Sequence, residues 1–209
     1  MKTQAPTLEQ FTAYQLAWNW FNERLFSGSL SPCLLNFSRH SKAYGFFVAN
    51  KWANHGTKQK AHEISLNPDV LLRPLKETMG TLVHEMVHQW QQDHGKAPRR
   101  CYHDRQWAEK MESIGLMPSH TGQPDGKRTG VKVTHYIISE GAFEQAFAAM
   151  PEGYLIPWLS AGILDAKKTP KSQNKIKYTC PSCEAAVWGK PGLNVTCGDC
   201  EEAFEEQIS

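Results

Sequence analysis

The sequence lacks any long apolar run. Its 209 residues are 40% hydrophobic, but no stretch approaches the roughly 20 consecutive apolar residues that a membrane-spanning helix needs. The N-terminal residues, MKTQAPTLEQ, also lack the apolar segment of a secretory signal peptide. We therefore expect a cytoplasmic protein with no membrane partner, whose apolar content suffices for a folded core.

The chain also carries little net charge. The chain has 23 Lys and Arg residues against 21 Asp and Glu residues, a formal net charge of +2, which does not by itself indicate a nucleic-acid-binding protein. Lysines are nevertheless clustered just before the C-terminal cysteines, at Lys167, Lys168, Lys171, Lys175 and Lys177. This cluster can meet the phosphates of DNA, or it can be a solvated linker, and both interpretations stay open.

Cysteine is infrequent, and most of the cysteines stand in C-x-x-C motifs. Four of the six cysteines form the pattern C-x2-C-x13-C-x2-C, at Cys180, Cys183, Cys197 and Cys200. In a cytoplasmic chain such spacing favours metal binding over disulfides, because two tight turns can each present two thiolates to one zinc ion. We predict a zinc ribbon that depends on its metal to fold, whereas the single Cys33 and Cys101 are typical packing residues.

The motif that organises the rest of the chain is TLVHEMVHQW, at residues 81–90. It contains H-E-x-x-H, with His84, Glu85 and His88 at the fixed positions. Residues four apart lie above one another on a helix, so the two imidazoles can point at one metal ion and Glu85 can act as the general base. Apolar residues at helical spacing predict that this helix is buried, where its polar side chains need a partner.

A catalytic zinc site usually has three protein ligands, and two histidines compete for the third position. His94 lies six positions after His88, as in H-E-x-x-H-x-x-G-x-x-H, but residue 91 is Gln where that pattern has Gly. His103 follows the loop GKAPRRC and opens a second predicted helix that carries Trp107. We favour His103, and we expect His94 in the last turn of the first helix.

The run HEMVHQWQQ, followed about fifteen residues later by a histidine, resembles the SprT-like family, which includes bacterial SprT proteins and the Spartan protease domain. The resemblance implies a zincin-like metallopeptidase, a C-terminal zinc ribbon as in many bacterial members, and substrates that are proteins bound or crosslinked to DNA. The chain departs from the family at Asp104, because members commonly carry Gly beside the third histidine.

Together these patterns predict an α+β fold in which helices pack on a small sheet. We place a metallopeptidase domain at residues 1–165, a Lys-rich linker at 166–178 and a small β zinc ribbon at 179–209. An aromatic stripe from Leu8 to Leu25 predicts the first helix, with a capping box at Thr7–Gln10.

Two predicted strands are candidates for the cleft around the metal. The run Ala43–Ala49 is either an edge strand that pairs with an extended substrate or an internal structural strand. The run Val131–Ile138 carries His135 and Tyr136, which either stabilise the oxyanion of a tetrahedral intermediate or are ordinary strand residues.

The residues thus favour a zinc metallopeptidase with two zinc ions, one catalytic and one structural. The alternative is a DNA- or transcription-associated zinc-binding protein with little or no peptidase activity, and a hydrolase of other amides is a third possibility. The intact Glu85 favours an enzyme, whereas DNA contact through the linker and ribbon is implied chiefly by the family resemblance.

Overall fold

The computed structural model describes residues 5–39, 43–99, 102–159 and 175–207. The chain forms two compact units that divide at residue 165, and the predicted α+β class is confirmed. The helices are α1 (Pro6–Phe26), α2 (Leu75–His94), α3 (Arg105–Ser113) and α4 (Ala142–Ala148). The strands are β1 (Cys33–Phe37), β2 (Gly45–Ala53), β3 (Lys60–Leu66), β4 (Leu116–Ser119), β5 (Thr134–Ile137), β6 (Ile176–Thr179), β7 (Ala186–Gly189) and β8 (Glu205–Gln207).

Helix α1 buries the predicted aromatic stripe from Tyr14 onward, whereas Leu8 and Phe11 at its start are exposed. Tyr14, Trp18 and Phe21 are at most 5% exposed, because residues three or four apart share one helix face. The predicted capping box is wrong: the helix begins at Pro6, and its N-cap residue Ala5 makes no side-chain hydrogen bond. Proline at the first helical position supplies a helical φ without needing an N–H partner, so Thr7 already lies inside the first turn.

The main sheet has the order β1-β3-β2, with β1 parallel and β2 antiparallel to the central β3. Among the described strands, β2 pairs with β3 alone and is therefore an edge strand. It extends beyond the predicted Ala43–Ala49, and its register shifts between Val48 and Trp52. At this bulge Asn50 has a φ of 50°, and its backbone N–H donates to His62 Nδ1 at 2.9 Å.

Helix α2 lies against this sheet and forms the centre of the first unit. Met79, Leu82, Val83, Met86 and Val87 are fully buried, as the apolar spacing predicted. At its end, the N–H of Gly95 donates to the carbonyl of Gln91 at 3.0 Å. Within the described residues, no helix combines the length and apolar character that crossing a bilayer requires.

The remaining elements of the first unit close over α2. Strand β5 pairs antiparallel with β4, and it covers only Thr134–Ile137 of the longer strand predicted over residues 131–138. Helix α4 follows, and its Phe143 ring stacks on Phe21 with ring centroids 5.7 Å apart. This contact joins α4 to α1, and Lys76 of α2 forms an ion pair with Glu144 of α4.

The second unit is a three-stranded antiparallel sheet with the order β7-β6-β8. Strand β6 begins at Ile176, so the end of the predicted linker belongs to a strand. Lys167, Lys168 and Lys171 of that linker, like Cys101, lie outside the described residues.

Candidate metal centre

Three histidines converge in the first unit. Within the described residues, one ring nitrogen from each of His84, His88 and His103 lies within 4.8 Å of the other two. The ring centroids are 5.2 Å apart for His84 and His88, and 4.8 Å apart for His88 and His103. Helix α2 supplies the first two from successive turns, as the H-E-x-x-H spacing predicted.

His103 reaches the pair from just before α3. It does not open the helix as predicted: α3 begins at Arg105 and is capped by Asp104, whose carboxylate accepts the Trp107 N–H at 3.0 Å. His103 instead forms an isolated β-bridge with Gly130. Its Nδ1 also contacts the Gly130 carbonyl at 3.1 Å. A carbonyl only accepts, so Nδ1 carries the proton and Nε2 keeps its lone pair.

The departure from the family pattern at Asp104 has a structural role. Besides capping α3, its Oδ1 accepts a hydrogen bond from Gln91 Nε2 at 2.8 Å. Gln91 is the residue that replaces the glycine of the competing histidine pattern. The pair therefore ties the last turns of α2 to the start of α3, and this holds His103 close to the α2 histidines.

His94 does not join this cluster. Its Nε2 lies 2.9 Å from the Ser29 carbonyl, and the side chain is exposed. Because α2 continues as a helix through residue 94, this ring is carried past the metal side of the helix. The structure thus brings His103, rather than His94, to the H-E-x-x-H pair.

Trp107 forms a floor under the three rings. Its ring centroid lies 4.8 Å from that of His84, 5.3 Å from His88 and 4.4 Å from His103, and the residue is fully buried. The sequence placed Trp107 on the apolar face of α3 but gave no sign that it would contact all three histidines. Its packing restricts the orientation of each imidazole.

The protonation states of the histidines suit a metal cation. Burial lowers the pKa of His84 well below its usual value, lowers the pKa of His88 to about 3 and lowers the pKa of His103. All three rings are therefore neutral at pH 7. Three neutral imidazoles form a donor set that zinc binds, so these residues fit the metal that the motif implies.

Glu85 lies in the same cleft and is only 6% exposed. Burial raises the pKa of its carboxyl to about 8, since the charged form loses its hydration. A carboxyl whose pKa lies near neutral pH can both accept and return a proton, which is what general acid–base catalysis requires.

The cleft has a volume of about 1030 Å³. It is lined by the stretch 43–49 leading into and along edge strand β2, and by the segment 131–135. The three histidines and Glu85 also line it. An extended chain can therefore lie along β2 and pass over the histidine cluster.

Strand β5 brings a fourth histidine to the site. His135 Nδ1 lies 3.2 Å from His84 Nδ1, and burial lowers the pKa of His135 to about 4. Tyr136, the other residue predicted to contact a substrate oxyanion, is not among the residues that line the cleft. The alternation of side chains along a strand directs neighbours to opposite faces, which separates the two.

Comparison with known proteins places this site in a family. The model of the SprT-like family matches residues 14–135, which is more than half of the chain. The chain belongs to the SprT-like family. The match includes the three clustered histidines and Glu85, so membership indicates a zinc metallopeptidase-like domain around this site.

One curated relative of the SprT-like chain is an uncharacterized protein in the mucB 3′ region of Salmonella typhimurium. It is 44% identical over 59 residues, which are 28% of this chain and 80% of that protein. No solved structure matches the chain. The family match ends before the C-terminal cysteines, so their interpretation rests on their own geometry.

The four cysteines of the second unit of the SprT-like chain also converge. Their sulfur atoms lie within 4.8 Å of one another, in two turns of the same construction. In the first turn the Cys180 N–H donates to the Ala185 carbonyl at 2.9 Å, and in the second the Cys197 N–H donates to the Glu202 carbonyl at 2.8 Å. Backbone N–H groups of Cys183 and Ser182 lower the pKa of Cys180 to about 7, which favours the thiolate form. This arrangement is consistent with the predicted zinc ribbon.

Loss of one thiol is expected to unfold the second unit alone. In Cys180→Ser, the sheet formed by residues 176–207 loses a metal ligand, and so small a sheet has little core without its metal. We expect the zinc content to fall by one ion per chain, as measured by elemental analysis, with the first unit's thermal transition unchanged. Cys33→Ser, which removes a thiol outside the cluster, is the control. Unchanged zinc content in Cys180→Ser would contradict the ribbon.

The zinc-free SprT-like chain is expected to be most stable near pH 6.5, the ordinary pKa of histidine. His88 and His135 have folded pKa values of about 3 and about 4, so the unfolded state binds more protons below pH 6.5 and stability falls as pH falls. Glu85 has a folded pKa of about 8 against an unfolded value of 4.5, so stability falls as pH rises towards 8. Below pH 6.5, the stability lost through the two histidines exceeds the stability gained through the one carboxyl, so stability falls as pH falls. Above pH 6.5, only the Glu85 carboxyl changes the stability, which falls as pH rises.

Thermal unfolding of the chelator-treated protein across this pH range tests the optimum. Glu85→Gln is the matched control, because it removes the carboxyl. This variant should no longer lose stability as pH rises above 6.5, but it should still lose stability at acid pH. A midpoint that rises steadily from acid to alkaline pH in the wild type would contradict the buried state of Glu85.

Proposed function

We propose that this SprT-like chain is a zinc-dependent metallopeptidase that hydrolyses peptide bonds. The observation that carries the proposal is the convergence of three neutral imidazoles beside Glu85 in a cleft bordered by an edge strand. His84, His88 and His103 would hold the catalytic zinc. When bound, zinc activates a water molecule and polarises the carbonyl that the water attacks.

Strand β2 would bind the substrate as an added strand. Its one described partner is β3, and its Gly45–Ala49 portion lines the cleft. Backbone hydrogen bonding along a strand edge orients a peptide independently of its side chains. The bulge after Val48 ends the regular pairing, so we place the bound segment of the substrate along the part of β2 that precedes it.

Glu85 would move the proton. Its carboxylate accepts the proton of the attacking water, a new carbon–oxygen bond forms at the substrate carbonyl, and the peptide carbon–nitrogen bond then breaks. The Glu85 carboxyl returns the proton to the departing amine nitrogen. The raised pKa of this buried carboxyl supports the return of the proton, and the positive charge of a bound zinc would favour the carboxylate that accepts it.

As substrates we propose proteins associated with DNA or crosslinked to it, with DNA bound through the Lys-rich linker and the ribbon. The family resemblance supports the substrate class. In the ribbon, Trp188 is 64% exposed and stands opposite Lys177 in the sheet register. An exposed aromatic ring beside a cation suits contact with nucleic acid, and we propose a cytoplasmic location for this work.

A second candidate is a DNA- or transcription-associated zinc-binding protein with little or no peptidase activity. The exposed Trp188 favours it, since a ribbon can bind a partner whether or not the first unit hydrolyses peptides. The retention of Glu85 within the histidine cleft favours the enzyme.

The deciding experiment incubates the purified, zinc-loaded chain with a protein crosslinked to DNA, with the same protein free, and with small amides. We expect proteolytic fragments, formed faster from the crosslinked protein. Cleavage of both proteins at equal rates would reject the DNA-linked substrate class. Absence of any fragment would favour the binding protein, and hydrolysis of the small amides alone would indicate a different amide hydrolase.

A further inference from the structure

His135 contacts the site without belonging to the cluster of three. Its Nδ1 is 3.2 Å from Nδ1 of His84, and the two ring centroids are 5.4 Å apart. It is not part of the group whose nitrogens all lie within 4.8 Å of one another. The His135 ring therefore lies beside His84 in the cleft, outside the group of three histidines that could share one metal ion.

The contact between the two Nδ1 atoms constrains where the protons lie. Two neutral imidazole nitrogens at hydrogen-bond distance require one N–H donor and one lone-pair acceptor. Since Nδ1 of His84 is engaged by His135, its Nε2 is the atom left to bind a metal, and a metal-binding nitrogen carries no proton. The proton of His84 then lies on Nδ1, and Nδ1 of His135 accepts it.

We propose that His135 is a positioning residue: its Nδ1 accepts the Nδ1–H of His84, which fixes the tautomer and the ring orientation that aim His84 Nε2 at zinc. This inference rests on the proposed zinc centre. Histidine ligands commonly donate their second nitrogen to a carboxylate or carbonyl, and loss of that partner weakens metal binding about 10–100-fold. Here a neutral imidazole takes the place of that partner.

Gly80 makes room for this arrangement. It lies inside α2, one turn before His84, and a Cβ added there would stand 2.9 Å from His135 Nε2. Glycine within a helix lowers its stability relative to alanine, so helix formation does not explain the residue. The space beside Gly80 lets the His135 ring approach α2 closely enough to reach His84.

The experiment compares His135→Phe with His135→Asn in the 209-residue chain with zinc bound to its C-terminal cysteines. Phenylalanine keeps a ring of similar size but has no acceptor, whereas asparagine Oδ1 takes about the place of imidazole Nδ1. We expect zinc affinity at the histidine site, measured by competition with a chelator, to fall about 10–100-fold in His135→Phe and to stay within about threefold of wild type in His135→Asn. Imidazole ¹⁵N resonances should show a protonated Nδ1 on His84 in the wild type and in His135→Asn.

Gly80→Ala supplies an independent variant if His135→Phe does not fold. The new methyl group displaces the His135 ring, so zinc affinity should fall although the intrinsic helix propensity rises. In the His135→Asn background, which lacks Nε2, the same substitution should cost no further affinity. Circular dichroism of each variant establishes that the fold is retained.

The outcomes separate this inference from the proposed function. If His135→Phe and Gly80→Ala bind zinc as tightly as the wild type, His135 has no positioning role, while the metallopeptidase proposal stands. If His84 carries its proton on Nε2 in the zinc-loaded wild type, the inference is overturned directly. If the wild type binds no zinc at the three histidines, the proposed function fails and this inference fails with it.

Discussion

Replacing Glu85 with glutamine is expected to abolish detectable peptide hydrolysis while leaving both proposed zinc ions bound. The amide has nearly the shape of the carboxyl but cannot accept a proton from water or return one to an amine. General acid–base groups contribute about 10²–10⁴-fold to rate, so we expect kcat to fall by at least that range. The measurement is the initial rate of fragment formation from a protein substrate, together with the zinc content of the same sample.

Glu77→Gln is the matched control for this substitution. Glu77 lies in the first turn of α2, forms an i,i+4 ion pair with Arg73 and does not line the cleft. Loss of an exposed ion pair changes the stability of the fold little. The same chemical change on the same helix should therefore leave the rate of hydrolysis within about twofold of wild type. Equal rates for wild type and Glu85→Gln would remove the basis for assigning the proton transfers to Glu85. A loss of zinc in Glu85→Gln would mean that the carboxyl is needed for the metal site itself.

The part of the site that lies on one helix could be predicted from the sequence. His84, Glu85 and His88 are fixed relative to one another by the helical repeat, and local spacing is sufficient to place them. The four clustered cysteines are similar, because each C-x-x-C pair closes its own turn. In both cases the geometry depends on residues only a few positions apart.

The rest of the site depends on contacts between distant segments. His103 approaches α2 because Asp104 bonds Gln91 and because Gly130 pairs with the backbone of His103. No periodicity in residues 91–130 encodes that bridge, which explains why the sequence left His94 open as an alternative. His135 is a further 32 positions along the chain from His103, and only the pairing of β5 with β4 brings it beside His84.

In the fold as well, local spacing predicts some elements and contacts between distant segments determine others. The aromatic stripe of α1 and the apolar faces of α2 follow from local periodicity, and both were predicted. The extent of β2 was not, because its second half continues past a bulge that His62 supports from the neighbouring strand. The predicted capping box failed for a local reason: with Thr7 as the N-cap the helix would begin at Leu8, whereas it begins at Pro6, two residues earlier.

Loss of the third imidazole is expected to empty the histidine site. In His103→Ala, only His84 and His88 remain to hold the proposed zinc, and affinity should fall by more than the roughly 10–100-fold that loss of an outer partner costs. We expect elemental analysis to show a fall of one zinc ion per chain, with the ribbon zinc retained. Peptide hydrolysis should be lost in the same sample.

His94→Ala is the matched control, because it removes an imidazole from the end of the same helix. His94 contacts the Ser29 carbonyl on the surface, so this variant should keep the zinc content and hydrolysis of the wild type, with only a small loss of stability. The opposite pattern, with zinc lost from His94→Ala and retained in His103→Ala, would mean that the ligands follow the H-E-x-x-H-x-x-x-x-x-H spacing instead. Such a result would require α2 to unwind before His94, since a continuous helix carries that ring away from His84 and His88.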